Sequence, residues 1–97
     1  MFGMPGSEFN FIKATFIDPC KNLGIRVYIF GSRARGDQQK YSDLDFLLKD
    51  ALKFKAEVAE LLEQVEQSNF PYKVDTVYDE ELAKSYRENI ERDLKQV

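Results

Sequence analysis

The residues with the clearest capacity for chemistry lie in one stretch, residues 31–45, with the sequence GSRARGDQQKYSDLD. A glycine and a hydroxyl open it directly after an apolar run, and two acids, Asp43 and Asp45, close it as a second apolar run begins. Both apolar runs are short and bounded by Gly, Asp and Ser, which predicts strands. Three basic residues lie between them: Arg33, Arg35 and Lys40. Basic residues and a glycine are suited to binding the phosphates of a nucleotide, and a carboxylate pair is suited to binding the divalent metal ions that accompany them.

Strand geometry predicts that the acids converge. Asp43 and Asp45 are two residues apart, so they point to the same face, with Cα atoms roughly 7 Å apart. Asp75 is a lone acid in a later apolar run, YKVDTVY, and joins them if that strand lies beside the second one. Three converging carboxylates repel each other unless cations lie between them, and two divalent ions about 3.5–4 Å apart are the usual arrangement. Without histidine or a nearby thiolate, we expect Mg²⁺ or Mn²⁺.

The Gly31-Ser32 pair supplies the other half of the candidate site. A glycine at a strand end lets backbone amides approach a phosphate closely. Ser32 is expected to cap a short helix that begins near Arg33, whose N-terminus favours anions. Arg33 and Arg35 would not share a helix face, so we expect only one of them, Arg35, to reach the phosphates. The stretch is not a P-loop, because it lacks the Gly-Lys-Ser/Thr ending.

Each part alone has an ordinary structural interpretation. A Gly-Ser pair is often a turn, an Asp-x-Asp at a strand start is often a solvated edge, and three basic residues are most often a solvated face. The joint arrangement is far more specific than any of its parts.

Composition limits the remaining possibilities. Ninety-seven residues predict one domain, 1–97, and the 43% hydrophobic and 32% charged content is that of a soluble globular protein. The net charge of −3 argues against a protein that mainly coats nucleic acid. Cys20 is a single cysteine, expected to be a small core residue, and favours a reducing, cytoplasmic location. The absence of histidine excludes a Ser-His-Asp triad. No apolar run is long enough to cross a membrane, and no leader opens the chain.

The N-terminal part is expected to hold one helix. Residues 1–9 contain two glycines and a proline and predict a loose lead-in, whose Gly-Ser-Glu-Phe part is also compatible with a cloning remnant. Apolar residues at helical spacing then predict a helix over 8–18. Pro19 is expected to kink this helix or to restart it with Asp18 as the cap, and Gly24 to stop it.

The second half predicts two helices around a third strand. An apolar stripe marks a helix over 51–67, with its members expected in the core: Phe54, Val58, Leu61, Leu62 and Val65. The third strand covers 72–78, and the last helix is expected to start near Asp79 as its N-cap. Its buried side is expected to hold Leu82, Tyr86, Ile90 and Leu94. This order predicts an α/β (α+β) fold, a single mixed sheet of at least three strands with helices packed on one face.

At this level a family can be recognised. GSRARGDQQKYSDLD resembles the nucleotidyltransferase signature of the polymerase-beta superfamily: Gly-Ser, then Ala-Arg-Gly, a short spacer and Ser-Asp-x-Asp. The short chain and its late Val-Asp strand look like the minimal nucleotidyltransferase branch, and the resemblance extends from about Ile12 to the end. It implies a polymerase-beta-like fold and the transfer of a nucleoside monophosphate, most simply AMP from ATP, to a hydroxyl acceptor.

The resemblance also implies roles for individual residues. Gly31 and Ser32 would hold the triphosphate. Asp43 and Asp45 would bind both metal ions, and Asp75 would bind the catalytic one and help to activate the acceptor hydroxyl.

Minimal members of this family resemble antitoxins whose partner is a helical HEPN-domain toxin, and the resemblance therefore implies AMP transfer to a tyrosine of such a partner. Two other interpretations stay open. The protein could neutralise a toxin by binding alone, or it could be the catalytic subunit of an enzyme that modifies an antibiotic or an RNA. None of the three predicts a membrane contact or a stable nucleic-acid complex.

Overall fold

A four-stranded mixed sheet organises the chain, whose 97 residues are all described by a computed structural model. The strands are β1 (Arg26–Phe30), β2 (Leu44–Lys49), β3 (Val74–Tyr78) and β4 (Lys95–Gln96). Their order in the sheet is β3-β2-β1-β4, with β2 and β3 parallel and the other two pairs antiparallel. The predicted fold class is confirmed.

Five α-helices join the strands: α1 (Gly6–Ile12), α2 (Asp18–Asn22), α3 (Ser32–Arg35), α4 (Lys55–Glu66) and α5 (Lys84–Glu91). A π-helical turn, Lys13–Ile17, connects α1 to α2, and 3₁₀ turns at Leu52–Phe54 and Asp79–Glu81 precede α4 and α5. None of these helices combines the length and the apolar composition that crossing a membrane requires.

The core lies between one face of the sheet and the helices α1, α2 and α4. From β2 it takes Leu44, Phe46 and Leu48, all fully buried. The stripe predicted on α4 faces this core, with its members buried or packed against it. Cys20 is also fully buried, and burial raises the pKa of its thiol to about 11, so the prediction of a small core residue is confirmed.

The first helical region is longer than predicted. It runs through residues 6–22, with the π-helical turn directly before Pro19. A proline ring clashes with the carbonyl group four residues earlier, here that of Thr15, and the wider π turn makes room for it. Of the two alternatives predicted at Pro19, the restart with Asp18 as a cap is wrong: Asp18 makes no capping bond and accepts a hydrogen bond from Lys13 Nζ at 2.9 Å. The stop near Gly24 is confirmed, since α2 ends at Asn22 and Gly24 has a φ of +92°.

The first five residues differ from the predicted loose lead-in. Met4 is buried in the core cluster, and Phe2 packs against Phe9 with ring centroids 5.9 Å apart. The Phe2 carbonyl accepts a hydrogen bond from Arg33. The glycines and the proline of this segment favoured a loose structure, because amino-acid composition contains no information on contacts with distant residues.

Two predictions about the last helix are wrong. Asp79 lies in a 3₁₀ turn and accepts a hydrogen bond from Arg87 Nη1 at 2.7 Å, and α5 begins only at Lys84. No residue of α5 is buried, and Tyr86 is 65% exposed. The helix joins β3 at one sheet edge to β4 at the other. Apolar spacing identifies a helix face, but it does not reveal whether another layer covers that face.

Phe16 tests the core. Its ring is fully buried and lies 5.0 Å from that of Phe46, so Phe16→Ala should lower the free energy of unfolding by about 3–5 kcal/mol. Phe11 is a matched control on α1 because 36% of its surface is exposed, and Phe11→Ala should cost much less. Urea unfolding followed by circular dichroism measures both. Equal midpoints for the two variants would contradict this packing.

Candidate active site

The parallel pairing of β2 with β3 places two acids side by side. Asp45 is the register partner of Asp75, and on its other side it pairs with Phe30, the last residue of β1. Asp43 precedes Asp45 by two residues and therefore shares its side of the sheet. This side is opposite the core, which Leu44 enters from between the two acids. The three predicted acids thus lie on one face.

The charges of these acids act on each other. The pKa of Asp45 is raised, first by burial of its carboxyl and then by the negative charges of Asp75 and Asp43. Lys73 opposes this shift. The ionised form of Asp45 is therefore disfavoured unless positive charge is supplied.

Lys73 is a site residue that sequence reasoning missed. Its Nζ lies 3.7 Å from Asp75 Oδ1, and its carbonyl accepts a hydrogen bond of 2.8 Å from the Leu44 backbone N–H. The available signal was its position two residues before Asp75, on the same side of the chain.

The three acids are suitable ligands for a hard divalent ion. Carboxylate oxygens are the donors that Mg²⁺ and Mn²⁺ prefer, and Lys73 is the one cation paired with any of the three. No three acidic groups are close enough to enclose a metal ion as they stand. Asp43 is exposed and Asp45 is half-buried, so at least the Asp43 side chain has room to change its orientation. The three carboxylates are therefore suitable ligands for such ions, and a bound cation would reduce the repulsion between them.

Gly31 lies against this acid cluster. Its φ of +80° is a conformation that side chains rarely adopt, and a Cβ built there would lie 2.6 Å from Asp45 Oδ2. Only glycine allows β1 to turn into α3 this close to Asp45. Ser32 is the first residue of α3, and Gly31 caps the helix with its carbonyl, which accepts hydrogen bonds from Ala34 and Arg35 at 3.1 Å. The predicted Ser32 cap is therefore wrong, because the helix begins one residue earlier.

The three basic residues of this stretch were expected to form a solvated face, but they do not lie on one exposed face. Arg33 is only 2% exposed and points into the protein, donating hydrogen bonds to backbone carbonyls. It is not available to a phosphate. The sequence alone does not distinguish Arg33 from the basic residues near it. Because arginine is rarely buried, the default expectation for all of them is exposure.

Arg35 remains on the surface. It donates hydrogen bonds of 3.1 Å to Asp37 and Asp93, and so links α3 to the segment after α5. The Arg35–Asp37 pair is the more exposed of the two, with Asp37 62% exposed, so Asp37 is the partner that a phosphate would replace more easily. Its assignment to the nucleotide stays a prediction.

The acids lie on an open face and line no enclosed cavity. Four surface depressions occur, the largest of about 500 Å³, and none is lined by Asp43, Asp45 or Asp75. A ligand at the acids is therefore covered on one side only, unless a second molecule completes the site.

Among solved structures, the chain is similar to a toxin–antitoxin crystallised with AMP-PNP, with 22% sequence identity and a TM-score of 0.66. The match covers 87% of this chain and 70% of that one. A protein described as a "putative nucleotidyltransferase from Sulfolobus solfataricus" matches with 24% identity and a TM-score of 0.45, over 93% of this chain and 81% of that one. No curated protein sequence matches significantly.

The family comparison gives the more specific result. Residues 15–97 match the family model described as "Nucleotidyltransferase domain". That match spans β1 to β4, and with them the glycine turn and all three acids. The chain therefore belongs to the nucleotidyltransferase domain family.

Proposed function

We propose that this protein is a metal-dependent nucleotidyltransferase that moves AMP from ATP to a tyrosine of a partner HEPN toxin, and so acts as an antitoxin. The observation that carries the proposal is the pairing of Asp45 with Asp75 beside the Gly31 turn. Burial and two neighbouring acids raise the pKa of Asp45, and a carboxylate perturbed in this way is typical of a functional site.

The residues divide into a phosphate side and a metal side. Gly31, Ser32 and Arg35 bind the triphosphate, since the glycine admits a close approach and the guanidinium adds charge. Asp43, Asp45 and Asp75 hold two Mg²⁺ or Mn²⁺ ions. These ions supply charge stabilisation for the transferring phosphoryl group and its pyrophosphate leaving group.

The transfer itself needs one proton acceptor from the chain. The acceptor hydroxyl oxygen forms a bond to the α-phosphorus of ATP as the bond to pyrophosphate breaks, and the hydroxyl proton passes to a carboxylate oxygen of Asp75. Asp75 suits this role because its side chain is 44% exposed and can be reached from the open face. Lys73 Nζ lies 3.7 Å from Asp75 Oδ1, on the same exposed face.

A protein acceptor is supported by the exposure of the acids. Asp43 is exposed and the side chain of Asp75 is 44% exposed, so a docked partner can present its hydroxyl there. The similar fold seen in a toxin–antitoxin with AMP-PNP, an ATP analogue, agrees with this assignment. We place the reaction in the cytoplasm and expect no membrane contact and no stable nucleic-acid complex.

The glycine turn gives the first test. Gly31→Ala should weaken binding of Mg²⁺ and an ATP analogue, because its Cβ would displace the Asp45 carboxylate. Gly36→Ala is the matched control: Gly36 has a φ of +87° but nothing within 4 Å of its Cβ position. Both variants should lose about 1–3 kcal/mol of stability to backbone strain, and only the first should lose affinity. Isothermal titration and urea unfolding measure the two effects, and equal affinities would show that the turn is not part of the binding site.

Asp45→Asn tests the charge cluster through its pH dependence. Because the folded-state pKa of Asp45 is raised, ionisation of Asp45 lowers the stability of the wild-type protein as the pH rises above 3.8, the ordinary value for this group. The neutral amide avoids this loss. Without metal, the variant should melt at a higher temperature than wild type at pH 7, and the difference should vanish below about pH 3.8.

Nucleotide should reverse this order. With Mg²⁺ and the ATP analogue, wild type should gain melting temperature by ligand binding and Asp45→Asn should not. Asp50→Asn is the control, since Asp50 is exposed and pairs only with the surface residue Arg26 across 2.9 Å. A wild-type-like response of the Asp45 variant would remove Asp45 from the metal site.

The reaction is tested by incubating the protein with Mg²⁺, each nucleoside triphosphate in turn and the product of its neighbouring gene. Mass spectrometry should find AMP on a partner tyrosine when ATP is present. Asp75→Asn should keep its nucleotide affinity but transfer at least about 10²-fold more slowly, the usual scale for loss of a positioned base.

Three outcomes would contradict parts of the proposal. Full activity of the Asp75→Asn variant would leave an active site with two carboxylates. Neutralisation of the partner without modification would identify a purely binding antitoxin. Nucleotide found only on an RNA or a small molecule would replace the protein acceptor.

A further inference from the structure

Arg33 is the one charged residue buried in the protein, at 2% exposure. It pairs with no carboxylate. Its Nε donates to the Ser42 carbonyl at 3.0 Å, its Nη1 to the Phe2 carbonyl at 3.0 Å and its Nη2 to the Lys40 carbonyl at 3.5 Å. A buried guanidinium is costly, so three donor bonds converging on one loop and on the N-terminal segment need an explanation.

The first part of that explanation is Asp43. The Ser42 carbonyl belongs to the peptide unit that joins Ser42 to Asp43, so the bond from Arg33 fixes this unit. On the other side of Asp43, the Leu44 N–H is bound to the Lys73 carbonyl at 2.8 Å. Asp43 thus lies between two anchored peptide units, although residues 36–43 contain no helix or strand.

The second part is the start of β3. The guanidinium carbon of Arg33 lies 4.2 Å from the ring centre of Tyr72, in cation–π geometry. The Tyr72 hydroxyl donates to Glu8 Oε2 at 2.7 Å, which fixes the ring from its far end. Tyr72 directly precedes Lys73, and Asp75 lies two residues after Lys73. One side chain therefore contacts both segments that lead into the acid-bearing strands.

Arg33 acts by shape more than by charge. The charges that shift the pKa of Asp45 are those of Asp75, Asp43 and Lys73, and Arg33 is not among them. The planar guanidinium reaches three carbonyls while stacking on a ring, which a single ammonium group cannot do.

We propose that Arg33 is a positioning residue that holds the 37–43 loop and the start of β3 in register, so that Asp43 and Asp75 face the same divalent ions. This inference rests on the proposed metal-dependent function. It assigns to Arg33 a role inside the fold, whereas three basic residues in a short stretch are most often a solvated face.

Arg33→Lys is the test, because it keeps the charge and loses the planar fork. We expect the affinity for Mn²⁺ with an ATP analogue, measured by titration, to fall at least about tenfold, the lower scale for losing a group that orients metal ligands. Amide hydrogen exchange should speed up in residues 37–43 and 72–75 and stay unchanged in α4 and in the core of β1 and β2. Arg26→Lys is the matched control: Arg26 lies at the other end of β1, is exposed and pairs with Asp50.

The two measurements separate the possible failures. If wild type binds no Mn²⁺ and nucleotide, the proposed function fails, and hydrogen exchange alone decides whether Arg33 holds the two segments. Uniformly faster exchange over the whole domain, or wild-type affinity and exchange in Arg33→Lys, would overturn the inference. If Arg33→Lys does not fold, Tyr72→Leu removes the stacking ring instead, and it should speed exchange in the same two segments. Unchanged exchange in 37–43 of that variant would equally overturn the inference.

Discussion

The parallel pairing of β2 with β3 is the constraint on which the rest of this structure depends. It sets Asp45 beside Asp75 on a shared face, and burial together with the two neighbouring acids raises the pKa of Asp45. Such an arrangement is unfavourable for an isolated domain. The fold tolerates it because the same strand buries Leu44, Phe46 and Leu48 on its other face, where they form the centre of the core. Strand alternation thus lets one short segment stabilise the protein and carry a charge cluster at once.

Two further residues keep that cluster in shape. Gly31 lets the chain turn within contact distance of Asp45, and Arg33 ties the loop before β2 to Tyr72, two residues before β3. Each departs from an ordinary preference, the first through a positive φ and the second through a buried charge. Departures of this kind concentrate at functional sites, where geometry matters more than local stability.

Asp43 is exposed and Asp75 is partly exposed on one face of the sheet, and no residue of α5 is buried. Both features leave surface on which a second molecule could pack. In the proposed function, a nucleotide bound there would lie against the sheet and beside the glycine turn. A partner protein that covers it would exclude water and deliver the acceptor hydroxyl in the same step.

Local pattern in the sequence determined the class of fold, the core helix α4, the buried Cys20 and the candidate acids. Periodicity and alternation report which face of an element is apolar, and the spacing of Asp43 and Asp45 fixes their common direction without further information. Local pattern carries no information on long-range pairing, however. Only the tertiary structure decided that β3 lies parallel to β2, that the two-residue β4 closes the other edge, and that the first residues pack against the loop. It also decided that Arg33 is buried while Arg35 stays outside, because a guanidinium enters the interior only where several carbonyls and an aromatic face converge from distant parts of the chain.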